Sequence, residues 1–77
     1  MDYALYAEKE QARLRRDYYQ GVCHAFEGKH NISSDEFLTC FEAGELGDDA
    51  TYFDWYAAKR GFDVWERRYR ILSGVSV

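Results

Sequence analysis

The side chains best equipped for chemistry in this sequence are two cysteines and two histidines: the adjacent Cys23 and His24, then His30 and Cys40. A zinc site needs ligands paired at short spacing, because one turn must bring two lone pairs to one ion. No Cys-x-x-Cys pair and no His pair at helical spacing occurs. Cys23 and His24, as neighbours on a helix, point about 100° apart. A thiol nucleophile made from Cys40 with His24 or His30 would need an orienting third group, oxyanion donors and a pocket. A chain of 77 residues offers little volume for one. Glu45, Asp48 and Asp49 lack the alternating oxygen ligands and closing Glu of a calcium loop. These residues therefore predict no catalytic group, no metal and no cofactor, and function must be sought in binding.

The elements that carry them are helical. There is no proline, and six glycines punctuate the chain. A first helix is predicted from about Tyr3 to about Phe26, with Asp2 as N-cap and Leu14, Tyr18, Val22 and Ala25 or Phe26 on its apolar face. Gly28-Lys29-His30-Asn31 is expected to end it. Ser33-Ser34-Asp35-Glu36 reads as a capping box opening a short second helix with Phe37, Leu38 and Phe41 on one side. Gly44 suits the left-handed position after that helix, and Asp48 or Asp49 caps a third. The third carries Phe53, Tyr56, Ala57, Val64, Ile71 and Leu72 at helical spacing and ends before Ser73-Gly74. Gly61 in its middle is a kink, a break or a point of close helix approach. The expected fold is a single all-α domain over residues 1–77, a small three-helix bundle with long, short and long helices.

Composition sets the limits. The chain is 47% apolar and 31% charged, too hydrophobic for a disordered acidic tail. Seven Tyr, five Phe and two Trp outnumber the Leu, Ile and Val residues. A domain this small hides only about 60% of its unfolded surface, so some of these aromatics are expected outside, where Tyr and Trp anchor interfaces. No run approaches the length of a membrane span, and the start of the chain has no signal-peptide pattern. The expectation is a cytoplasmic protein with both cysteines reduced.

Charge is segregated. Between His30 and Ala58 stand seven acids and no Lys or Arg, whereas the rest holds seven acids and ten bases. An acidic stretch interleaved with Phe, Tyr and Trp suits a basic protein partner. The candidate partner-binding residues are Glu42, Glu45, Asp48, Asp49, Tyr52 and Trp55. Trp65 and Tyr69 form a second stripe for a partner or a homo-oligomer. A phosphate-binding face from Arg13, Arg16, Arg67 and Arg70 is the weaker reading, because acids are interspersed and the net charge is −4.

The stretch from Glu36 to Asp49, followed by Tyr52-Phe53-Asp54-Trp55-Tyr56, resembles a recurrent segment of small bacterial and archaeal proteins. In these, a short helix leads through an F-E-x-G-x-L-G-D-D turn into a helix opening with aromatics. Several are associated with toxin–antitoxin gene pairs as the antitoxin. The resemblance implies a helical hairpin in which Gly44 and Gly47 make the turn, Leu46 plugs it and the two Asp cap the next helix. It also implies an antitoxin-like or inhibitor-like role, neutralising a basic partner such as a nucleic-acid-processing protein.

Overall fold

The computed structural model describes residues 3–74, so the proposed cap Asp2 lies outside the described residues. Three helices follow in order: α1 (Tyr3–His30), α2 (Ser34–Glu42) and α3 (Ala50–Gly74). The fold is the expected small three-helix bundle. The long helices α1 and α3 pack against each other along their length, and the short α2 crosses one end of the pair.

Local chemistry sets the boundaries. α1 runs past its expected end near Phe26, through Gly28, and stops where Asn31 turns left-handed at φ 60°. Asn tolerates that conformation, and its N–H closes the helix onto the Glu27 carbonyl at 2.8 Å. Ser33 caps α2, its hydroxyl accepting from the Glu36 N–H at 3.1 Å. The Ser34 N–H, another free donor of that first turn, goes instead to the Glu27 carboxylate of α1 at 2.8 Å. α2 ends in a Schellman motif: Gly44 sits at φ 74°, the Gly44 N–H reaches the Phe41 carbonyl and the Glu45 N–H reaches that of Cys40. Of the two candidate caps for α3 it is Asp49 that serves, accepting from the Thr51 N–H at 2.8 Å.

The core lies where all three helices meet. Trp55 and Phe37 are fully buried, with ring centroids 4.0 Å apart and planes within 5°. Phe26 of α1 stacks on the indole at 5.4 Å, and His30 at 5.2 Å. The indole N–H donates to the Ser34 hydroxyl at 2.9 Å, so the one polar atom of the ring is satisfied. This single stack joins α1, α2 and α3.

Away from that end the molecule is a two-helix hairpin. On α1, buried and half-buried residues recur at Leu5, Lys9, Ala12, Arg16, Tyr19, Cys23, Phe26 and His30, alternating steps of four and three. On α3 the matching set is Tyr52, Trp55, Lys59, Phe62, Glu66 and Tyr69. This is heptad spacing, the pattern of helices that stay in register over a long contact. It coincides only in part with the face that the apolar residues predicted: Val22, Phe26, Tyr56 and Leu72 are half-buried, but others turn outward. Leu14 and Tyr18 on α1 are 59% and 67% exposed, and Val64 and Ile71 on α3 are 56% and 61% exposed. The physical reason is that small residues, Ala12, Cys23, Ala58 and Gly61, let the backbones approach. The stems of Lys9, Arg16 and Lys59 fill the remaining space, and a tally of hydrophobic residues discounts them.

Gly61 is the point of close approach, within an unbroken α3. A Cβ placed there would stand 2.9 Å from the Tyr19 ring. Gly61→Ala gains about 1 kcal/mol of helix propensity but incurs about 1–3 kcal/mol of overpacking. Urea unfolding is expected to show net destabilisation, and the same substitution in a Tyr19→Ala background is expected to stabilise.

Candidate protein-interaction surfaces

Cys23 and His24, but not His30 or Cys40, line a cleft of about 180 Å³ at the junction of the three helices, with Glu27, Ser34, Asp35 and Lys59 among its other walls. Ligand sites generally enclose about 300 Å³ or more, and here the polar groups are already engaged with one another. The Lys59 ammonium lies 2.9 Å from Asp35 and 3.0 Å from Asp63. Burial pulls its pKa down, but the two carboxylates outweigh that and leave it above the ordinary lysine value. Glu27 is held below the usual carboxylate range, chiefly by its hydrogen bonding to Ser34. Burial pushes the Cys23 thiol up, which keeps it protonated and a poor nucleophile. The cleft braces the junction.

Both cysteines are free, Cys23 buried and Cys40 half-buried. Iodoacetamide is expected to label Cys40 in the folded protein and Cys23 only in denaturant, as read by mass spectrometry. Glu27 has a lowered folded-state pKa, so its contribution is full above the unfolded value of about 4.3 and is lost as pH falls through the folded value. The urea midpoint of the native chain is expected to fall more steeply below that pH than the midpoint of Glu27→Gln.

The acidic end is built from the α2–α3 connection and its flanks. Glu42, Glu45, Asp48 and Asp49 are all exposed, as are Glu36 and Asp54. Among the described residues, Asp35 alone of the seven acids in this stretch is neutralised in an ion pair, with Lys59. Asp49 has a second duty: the backbone N–H of Thr51, as the largest influence, holds its carboxyl below the ordinary range, and its oxygen is committed to the cap. The other three candidate acids carry no such structural bond.

Of the aromatic candidates, Trp55 is buried and Tyr52, Trp65 and Tyr69 are half-buried. Trp55, expected to project, is the centre of the core. Tyr52 is half-buried with its ring 6.1 Å from Phe37 and 5.9 Å from His30. Trp65 and Tyr69 do not form a free stripe. The Arg15 guanidinium lies 5.4 Å from the Trp65 ring, and that of Arg16 lies 4.5 Å from Tyr69. The reason is common to all four: the short α2 and the polar α1 seam leave these rings as the largest bodies available to cover the hairpin.

Aromatics are found outside as expected, but which large apolar side chains stand there was not predicted. Tyr3, Tyr6, Leu14 and Tyr18 on α1, and Phe53, Val64 and Ile71 on α3, are each more than half exposed. The α1 set shares one groove with Ala7, Glu10 and Gln11. Leu14, Tyr18, Phe53, Val64 and Ile71 share the helical spacing that predicts an inward face, whereas Tyr3 and Tyr6 belong to no predicted face. Of the four arginines named for a phosphate-binding face, Arg13 pairs with Glu10 at 2.8 Å and Asp17 at 3.3 Å, Arg16 with Asp17 at 2.8 Å, and Arg70 with Glu66 at 2.9 Å, while Arg67 is exposed and among the described residues enters no ion pair.

Among the described residues no group of three or more His, Cys, Asp or Glu side chains is placed to hold a metal ion, and no helix is long and apolar enough to cross a membrane. Comparison with protein-family models, with curated proteins and with solved structures finds no match.

Proposed function

We propose that this chain is a protein-binding module that neutralises or regulates a basic partner, in the manner of an antitoxin or an inhibitor of a nucleic-acid-processing protein. The observation that carries the reading is the acidic end, where Glu42, Glu45 and Asp48 are exposed and, among the described residues, enter no ion pair. Exposed carboxylates clustered at one end of a rod 48 Å long concentrate the field there, which steers a cationic surface to that end and fixes its orientation. Contact area comes from side chains adjoining the acids, such as the 55% exposed Phe53. Its ring meets that of Phe41 edge-on, 5.4 Å between centroids. The ion pairing of Arg13, Arg16 and Arg70, which leaves only Arg67 of that face without an ion pair among the described residues, speaks against the alternative of direct nucleic-acid binding.

The test is capture from an extract of the source cells on immobilised chain, eluted with a salt gradient. A single basic protein released at moderate salt is the expected result. Retention of nucleic acid, or of nothing, contradicts the proposal.

A further inference from the structure

We propose that the outer face of α3 is a second helix-pairing seam, occupied by a second copy of this chain with the two α3 helices antiparallel. Phe53, Ala57, Arg60, Val64, Arg67 and Ile71 are all exposed. Their steps of four and three repeat the heptad spacing of the inward set on the same helix. At about 100° per residue they fall on the side turned away from that set. α1 packs on the inward side, and α2 borders the stripe at its Phe53 end, where the Phe41 ring meets that of Phe53.

The make-up of the stripe is that of the seam the chain already uses. Between α1 and α3 the stems of Arg16 and Lys59 fill space beside small residues, and their charged heads go to carboxylates at the edge. Lys59 reaches Asp35 and Asp63, and Arg16 reaches Asp17. In the outer stripe Arg60 and Arg67 stand among Phe, Ala, Val and Ile in the same way, but among the described residues neither enters an ion pair. The nearest carboxylates of α3, Asp63 and Glu66, are already bound to Lys59 and Arg70.

Charge identifies the occupant and its direction. At the Phe53 end the stripe adjoins Asp54 and Glu42, with no Lys or Arg between His30 and Ala58; at the Ile71 end it adjoins Arg67, Arg68 and Arg70. Two parallel copies would set acids against acids, Arg60 on Arg60 and Arg67 on Arg67. Antiparallel copies lay each acidic end along the other's arginine end. The layers then pair Phe53 with Ile71, Ala57 with Arg67 and Arg60 with Val64, so each arginine stem lies on an apolar side chain. At the flank, where charged residues of paired helices set orientation, Asp54 meets Arg68 of the second copy, with Arg67 one residue away. The two-fold axis makes that contact twice. Asp54 and Arg68 are both exposed, and among the described residues neither enters an ion pair. Phe53 and Asp54 also adjoin the acidic end, so the second copy and a basic partner draw on the same edge. The test therefore uses the chain alone, and its outcome is separate from that of the capture.

Sedimentation across micromolar concentrations compares the native chain, Asp54→Arg, Arg68→Asp and the double variant Asp54→Arg/Arg68→Asp. The native chain is expected to reach twice the chain mass. Each single reversal is expected to weaken association at least about tenfold, since the repulsion enters the interface twice. The double variant is expected to restore it. Helical circular dichroism should be native in all four, because both side chains lie outside the core. A native chain that stays monomeric overturns the proposal. So does a dimer indifferent to both single reversals, or a folded double variant that associates no better than the single ones.

Discussion

Trp55→Ala is expected to leave the chain largely unfolded at 25 °C. Removing a fully buried Trp costs about 3–5 kcal/mol, while a chain this small has a total stability of about 4–10 kcal/mol at most. The site has no means of collapse, because the indole is clamped between Phe37 on one side and Phe26 with His30 on the other. Its loss also strips the Ser34 hydroxyl of its donor. Far-UV circular dichroism should show most of the helical signal gone. Trp65→Ala, which truncates a half-buried ring, is expected to cost about 1 kcal/mol and to leave the spectrum native. Trp55→Phe separates the two contributions at Trp55: it keeps a stacking ring and loses the N–H bond, for about 1–2 kcal/mol.

Phe37→Ala is expected to cost a similar amount, about 3–5 kcal/mol, and to act on the whole molecule. A helix of nine residues such as α2 has no stability of its own in water. What holds it is the Phe37 ring on Trp55, the Glu27 bond to Ser34 and the Lys59 pair with Asp35. Once Phe37 is truncated, α2 releases and uncovers Trp55, so the α1–α3 hairpin loses the core that anchors it. Urea unfolding followed by tryptophan fluorescence and by circular dichroism should then shift together to a lower midpoint. Early loss of fluorescence with a retained helical signal would mean instead that the hairpin stands without α2.

The order of the helices and most of their ends were legible because they depend on local chemistry: Ser33 as a cap, Gly44 as a left-handed terminus and Asp49 before α3 each act within a few residues. The end of α1 was misplaced because Gly28 reads as a stop, whereas a single glycine is tolerated inside a long helix and Asn31 supplies the real terminus. The inward faces were legible only in part: Phe26, Phe37 and Tyr56 pack inward as their spacing predicts, but the long helix pairing is set by small residues at Ala12, Cys23, Ala58 and Gly61. Hydrophobicity ranks those positions below Leu14, Tyr18, Val64 and Ile71, and the structure turns the latter outward.

The candidate site divides in the same way. The exposure of Glu42, Glu45 and Asp48 followed from charge alone, since unpaired carboxylates on a small domain have nowhere to be buried. The position of Trp55 did not follow, because four aromatics in five residues cover most of a helix circumference and only the packing of α2 decides which one turns inward. The sequence carried a signal that was passed over: Ser34 lies at the start of α2, where a hydroxyl can accept from a buried indole.

The acidic end is tested most directly by repeating the capture with Glu42→Lys/Glu45→Lys/Asp48→Lys beside the native chain, and with Asp49→Asn, which keeps a capping side chain and removes only its charge. The triple variant is expected to lose the basic partner while retaining native circular dichroism, and Asp49→Asn to release it at lower salt. Undiminished capture by the triple variant would contradict the assignment of this end as the binding surface.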